Sequence, residues 1–183
     1  MKSIFNKSLL IGIFPSDWKT ARVSPICKSG ERDECGNYRP ISVLSTISKI
    51  FEKLVFEQVN NYLVTNRLLT PYQSGFRKGH STCSSLLKTT NDWLINMDKG
   101  LLNGVVFLDL KKAFDTVNHE ILLKKLELYG IKKTTLHWLT SYLSNINQVC
   151  KVGRSVSKSE RITTGVPQGS VSINQIKMSL VWS

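Results

Sequence analysis

The sequence is short of acid. Among its 183 residues Asp and Glu number 13 against 25 Lys and Arg, a formal net charge of +12. The deficit is local as well as global. No carboxylate lies between Glu57 and Asp92, and after Glu127 the only one is Glu160. Such a surplus favours a polyanionic partner, nucleic acid ahead of an acidic membrane surface, although composition alone fits a plain basic domain as well. Histidine is scarce too: His80, His119 and His137 show no ligand spacing and read as structural. Cys27, Cys35, Cys83 and Cys150 form no C-x-x-C pair and have no histidines at zinc spacing, which leaves free thiols in a reducing compartment as the simplest reading. No apolar run approaches the ~20 residues of a membrane span. The opening MKSIFNKSLLIGIF has a short apolar core and no small-residue cleavage site before Pro15 and Asp17, so an intracellular protein of cytoplasm or nucleus is expected, with neither secretion nor membrane attachment.

What is present is about one domain of chain, with 41% hydrophobic residues to build a core. The first 40 residues read as irregular, with TARVSPI (20–26) alternating like a strand and KSGERDECGN (28–37) forming a polar loop. From 41 to 66, apolar residues recur at intervals of three and four, which predicts an amphipathic helix begun by Pro40. PYQSGFRKGHST (71–82) is a glycine-containing basic loop leading into a second helix over 81–98, capped by Ser81 or Thr82. GVVFLDL (104–110) predicts a strand covered on both faces. Asn118 caps a helix that Gly130 ends, another helix follows over 133–145, and NQVCKVG with SERITTG forms a hairpin turning near Gly153 and Arg154. Helices and strands mix without a strict βαβ rhythm, so the fold class is α+β.

Asp109 closes the apolar run in FLDLKKAFD. A strand-end aspartate either caps a turn or offers hard oxygen to Mg²⁺, a cation that borrows substrate phosphates for its remaining positions. Lys111 and Lys112 follow at once and favour an anion site. Phe114 is either a core aromatic or a flat ring laid against a sugar, and Asp115 reads as a brace for the turn into the Asn118 helix. In QSGFRKGHST, Gly75 and Gly79 permit tight backbone, while Arg77 and Lys78 bring charge to a helix N-terminus.

FLDLKKAFDTVNH resembles the first catalytic motif of reverse transcriptases from non-LTR (LINE-type, jockey-like) retrotransposons. FPSDWKTARVSPICKSG, NYRPISVLSTISKIFEKLV, QSGFRKGHST and TTGVPQGSV resemble further blocks of that family, in the family's order. The resemblance implies the fingers (1–100, with an N-terminal extension) and part of the palm (101–171) of a right-hand polymerase, followed by a divergent tail (172–183). It implies RNA-templated DNA synthesis by two-metal nucleotidyl transfer. Asp109 and the Leu110 carbonyl would be Mg²⁺ ligands, Asp109 being the catalytic one. Lys28, Arg39, Lys111, Phe114 and Gln168 would contact the incoming deoxynucleoside triphosphate, and Arg77, Lys78 and Gly169 the RNA template and DNA primer. Phe114 would exclude a ribose 2′-hydroxyl.

The pattern breaks downstream. The family carries a second pair of aspartates on a tight hairpin, and no Asp or Glu follows Glu160 here. The thumb is expected to be missing as well. One carboxylate and one carbonyl do not hold two dications against their repulsion. The chain therefore reads as a fragment or degraded copy, inactive alone. The alternative is a non-enzymatic basic remnant that binds RNA or RNA–DNA hybrid.

Overall fold

A computed structural model describes residues 1–75, 77, 79–108 and 116–165. Its first element corrects the reading of an irregular start. Lys2–Ile11 is helix α1, ended by Gly12 in the left-handed region at φ 70°. Strand β1 (Thr20–Cys27) and β2 (Tyr38–Val43) then form an antiparallel ribbon. Helix α2 runs over Thr46–Thr65, α3 over Thr82–Asp98, α4 over His119–Leu128 and α5 over Lys133–Leu143. Strands β3 (Ile146–Val152), β4 (Ser155–Val156) and β5 (Glu160–Ile162) complete the described elements.

The expected helix from residue 41 begins later. Ser45 is its N-cap and accepts from the Ser48 amide, while residues 38–43 are strand. Pro40 sits on β2, an outer strand of the sheet, where a missing N–H disturbs no inner ladder. Its register partner is Pro25, beyond the stretch of β1 that pairs with β3.

The sheet is mixed, in the order β2-β1-β3-β4, with β5 also on β3. The β1–β3 pairing is parallel, Thr20 opposite Asn147 and Val23 opposite Cys150, which joins residues near the start of the chain to residues near 150. A single sheet and a single core therefore draw on both sides of the boundary expected near residue 100. Phe5 and Phe14 from the N-terminal segment stack on Phe51 of α2, with centroids 4.3 and 6.1 Å apart. Phe14 also meets Trp138 and Tyr142 of α5 edge-on at 5.4 and 4.9 Å. Offset and T-shaped pairs of this kind add to the large apolar area each ring removes from water. The indole Nε1 of Trp138 donates to Ser8 Oγ at 2.9 Å, so its one polar atom is buried without penalty.

Among the described residues Glu52 is the one buried Asp, Glu, Lys or Arg side chain, only 3% exposed. Burial pushes its carboxyl up to about 7, opposed by hydrogen bonds from Ser48 and Tyr142 and by the Lys49 charge. Ser48 Oγ donates to Glu52 Oε1 at 2.9 Å, one helical turn away.

The expected strand through GVVFLDL is not formed over 104–108. These residues have no regular structure, and Val106, Phe107 and Leu108 are 83, 88 and 78% exposed. A strand covered on both faces needs hydrogen-bonded neighbours and layers above and below it. None of the described strands pairs with 104–108. The rest of that expected strand, 109 and 110, lies outside the described residues.

Candidate nucleic-acid interface

The β1–β2 ribbon positions two of the expected phosphate contacts. Arg39 lies opposite Ile26, and Lys28 follows Ile26 by two residues, so the pleat puts both cations on one face. Both are exposed. The Lys28 amide donates to the Asn37 carbonyl at 2.8 Å and closes the ribbon. Beyond it Gly30 turns at φ 87°, with the Asn37 amide group 2.6 Å from where a Cβ would stand. Asn37 Nδ2 donates to the Glu31 carbonyl and Tyr38 Oη to the Arg32 carbonyl, at 2.9 and 2.8 Å. The loop is thus shaped by backbone contacts, and Glu31, Arg32, Asp33 and Glu34 in it are exposed.

In the glycine-containing loop, Arg77 is half-buried and its Nη1 donates to the Thr70 and Gln73 carbonyls at 3.1 and 3.4 Å. Part of the guanidinium holds its own loop together. Gly79 takes φ 81°, and Ser81 caps α3 through a reciprocal box with Ser84. Lys88 of α3 lies 5.6 Å from the ring centroid of the exposed Tyr72, a cation–π arrangement that fixes the loop against the helix.

Asp109, Leu110, Lys111, Phe114, Gln168, Gly169 and Lys78 lie outside the described residues, as does Asp115. The residues flanking the two central motifs are described, and they meet. The Gly165 amide donates to the Val117 carbonyl at 2.9 Å, and His119 Nε2 contacts the Gly165 carbonyl. Val117 follows FLDLKKAFD and Gly165 opens GVPQGS, so the fold fastens the two motifs to each other although 46 residues separate His119 from Gly165. His119 belongs to this fastening, a role its position in the sequence gives no sign of.

For Mg²⁺, the donor types of Asp109 and Leu110 are suitable, hard oxygens. No Asp or Glu follows Glu160 in the sequence. Among the described residues no group of three or more His, Cys, Asp or Glu side chains converges to hold a metal. Nor is any helix among them long and apolar enough to cross a membrane.

The described residues form a mixed α/β domain with a small mixed sheet, exposed cations on one sheet face, and the segments around Val117 and Gly165 hydrogen-bonded to each other. The particular family follows from comparison. Residues 26–174 match the model of reverse transcriptases (RNA-dependent DNA polymerases), and the chain belongs to that family. It is 36% identical over 175 residues to a probable RNA-directed DNA polymerase from transposon BS of Drosophila melanogaster. It is 34% identical over 175 residues to the RNA-directed DNA polymerase from mobile element jockey of the same organism. To the Pol polyprotein of the type-1 retrotransposable element R2 of Popillia japonica it is 28% identical over 162 residues. These alignments cover 92, 92 and 88% of this chain but only 18, 18 and 22% of the relatives, so the chain spans about a fifth of their length.

Proposed function

We propose that these 183 residues form the nucleotide- and template-contacting part of a non-LTR retrotransposon reverse transcriptase: fingers over 1–100 and part of the palm over 101–171. The observation that carries this reading is the Val117–Gly165 hydrogen bond, which supports one shared site for the Asp109 and Gln168 motifs. In that site Lys28, Arg39 and Lys111 neutralise triphosphate oxygens, Arg as a fork and Lys as a point charge. Phe114 bars a 2′-hydroxyl, Gln168 meets the incoming nucleotide, and Gly169 with Arg77 and Lys78 accommodates template and primer. When bound, Mg²⁺ supplies activation of the primer 3′-hydroxyl and charge neutralisation at the leaving pyrophosphate. Asp109 and the Leu110 carbonyl are its ligands in this chain. Two ions need more carboxylates than Asp109 alone, and this reading assigns no second one, so nucleotide transfer is not assigned to this chain.

Primer extension with Mg²⁺ and deoxynucleotides on an RNA template, run beside a template–primer binding assay, tests the reading. The expected outcome is binding that weakens steeply with salt and no incorporation. Incorporation abolished by Asp109→Ala would show that the chain completes its own metal site. Failure to bind template–primer even at low salt would overturn the reading.

A further inference from the structure

The sheet has two faces of different chemistry. Ala21, Val23, Ser42 and Ile146 are buried on one of them. On the other, the register gathers cations that stand far apart in sequence. Arg22 of β1 lies between Val43 of β2 and Val149 of β3. Lys151 follows Val149 by two residues on β3, so it shares that face, and Arg161 of β5 is opposite Asn147, two residues before Val149. Strand spacing and rise put Arg22 and Lys151 about 8 Å apart, and Arg22 and Arg161 about 12 Å apart. All three are exposed.

None of the three forms an ion pair with a described residue. Glu160, the one acid on these strands, is paired with Gln148 and so points to the opposite face. The acidic tip at 31–34 is more than about 20 Å along the ribbon from Arg22. That exceeds the ~8–10 Å screening length at physiological salt, so the loop's acids are largely screened from these cations. The valines flanking Arg22 give its aliphatic stem an apolar bed while the guanidinium faces solvent. None of the register partners on this face is aromatic, which removes a platform for stacked bases.

We infer that Arg22, Lys151 and Arg161 form a phosphate-binding track for the backbone of a single nucleic-acid strand, on the same sheet face as Arg39 and Lys28 but made by other residues, and blind to base sequence. The inference rests on the nucleic-acid reading of the previous subsection. Its occupant is set by charge: three exposed cations roughly 8 to 14 Å apart, on a face whose described strand residues include no acid and no stacking ring, fit the repeated charges of a sugar-phosphate chain.

The test measures affinity for poly(rA) and poly(rU) oligomers against salt, for the full chain and three variants. The triple variant Arg22→Ala/Lys151→Ala/Arg161→Ala is expected to flatten the slope of log K against log salt by about 2, since each phosphate contact on a single strand contributes about 0.7. The loss should be equal on both oligomers. Arg22→Lys/Arg161→Lys, which keeps the charges, should restore the slope. Lys53→Ala/Lys99→Ala/Lys124→Ala, with the same loss of charge elsewhere on the exposed surface, should leave it nearly unchanged. A full chain that binds with an unaltered slope in the first variant overturns the track and leaves the proposed function standing. Equal losses in the first and control variants reduce the effect to net charge and also overturn it. An unequal loss on the two oligomers overturns its indifference to sequence. No binding by the full chain at low salt defeats the proposed function itself.

Discussion

Helices α2 and α3 look alike as text and behave differently in the fold. Both carry apolar residues at intervals of three and four, and both begin at a serine cap. On α2, Phe51, Val55, Val59 and Leu63 are buried in one cluster with Phe5, Phe14, Trp138 and Tyr142. On α3 nothing is buried, and Leu86, Leu87, Leu94 and Met97 are 59–70% exposed. The run that follows α3, 104–108, is exposed in the same way. Amphipathic spacing states that a face wants cover, and the partner that supplies it is a separate matter. For α2 the partners come from α1, the segment around Phe14, and α5. For α3 the described residues supply little: Trp93 is half-buried, and Tyr72 meets Lys88.

The contrast can be broken most directly from the covered side. Trp138→Ala removes the ring that meets Phe14 and Phe51 and the indole that donates to Ser8 Oγ, and it should cost about 3–5 kcal/mol in denaturant unfolding. A loss below about 1 kcal/mol would mean that the aromatic cluster does not organise the domain.

Next in size is the buried acid of α2. With its carboxyl pushed up to about 7 in the fold, Glu52 stays protonated where the unfolded chain has already ionised. Native protein therefore binds more protons than unfolded protein between about pH 4.5 and pH 7. Stability falls as pH rises through that window, by on the order of 3 kcal/mol, and is level above it. Glu52→Gln keeps an acceptor for Ser48 and has no charge to bury, so its stability should lack this decline and exceed that of the parent at pH 8. Thermal melts at several pH values measure the difference. Parallel curves for the two proteins would place the carboxylate in contact with water.

The smallest expected effect comes from the uncovered side. Leu86→Ser/Leu87→Ser should change unfolding free energy by only about 0.5 kcal/mol per site, because neither side chain loses a buried environment. A loss of 2 kcal/mol or more would show that α3 is covered in solution.

Local signals in the sequence were read well where they concern one element at a time. The strand at TARVSPI, the Ser81 cap, the Asn118 cap with Gly130 in the left-handed region, and the hairpin near Gly153 all recur in the fold. Expectation and fold differ where two local signals compete or a partner is required. Pro40 suits a helix start and an outer strand equally, and only pairing with β1 decides between them. Helix α1 gives a weak signal because its ten residues have no side-chain cap and bury little beyond Phe5 and Ser8. The β-branched run at 104–108 signals a strand, yet no described neighbour makes it one. Of the candidate site, Lys28, Arg39 and Arg77 can be located, while the fastening of Val117 and His119 to Gly165 had no sequence signal at all.

By itself, then, the order of residues determined the family, the excess of positive charge and the ends of most helices, since each depends on groups within a turn or two of one another. The tertiary structure alone decided which of two similar helices is covered, which distant cations share a sheet face, and that two motifs are tied together. Those outcomes depend on the parallel pairing of β1 with β3 and on the Val117–Gly165 bond, contacts between segments whose separation along the chain leaves no periodicity to read.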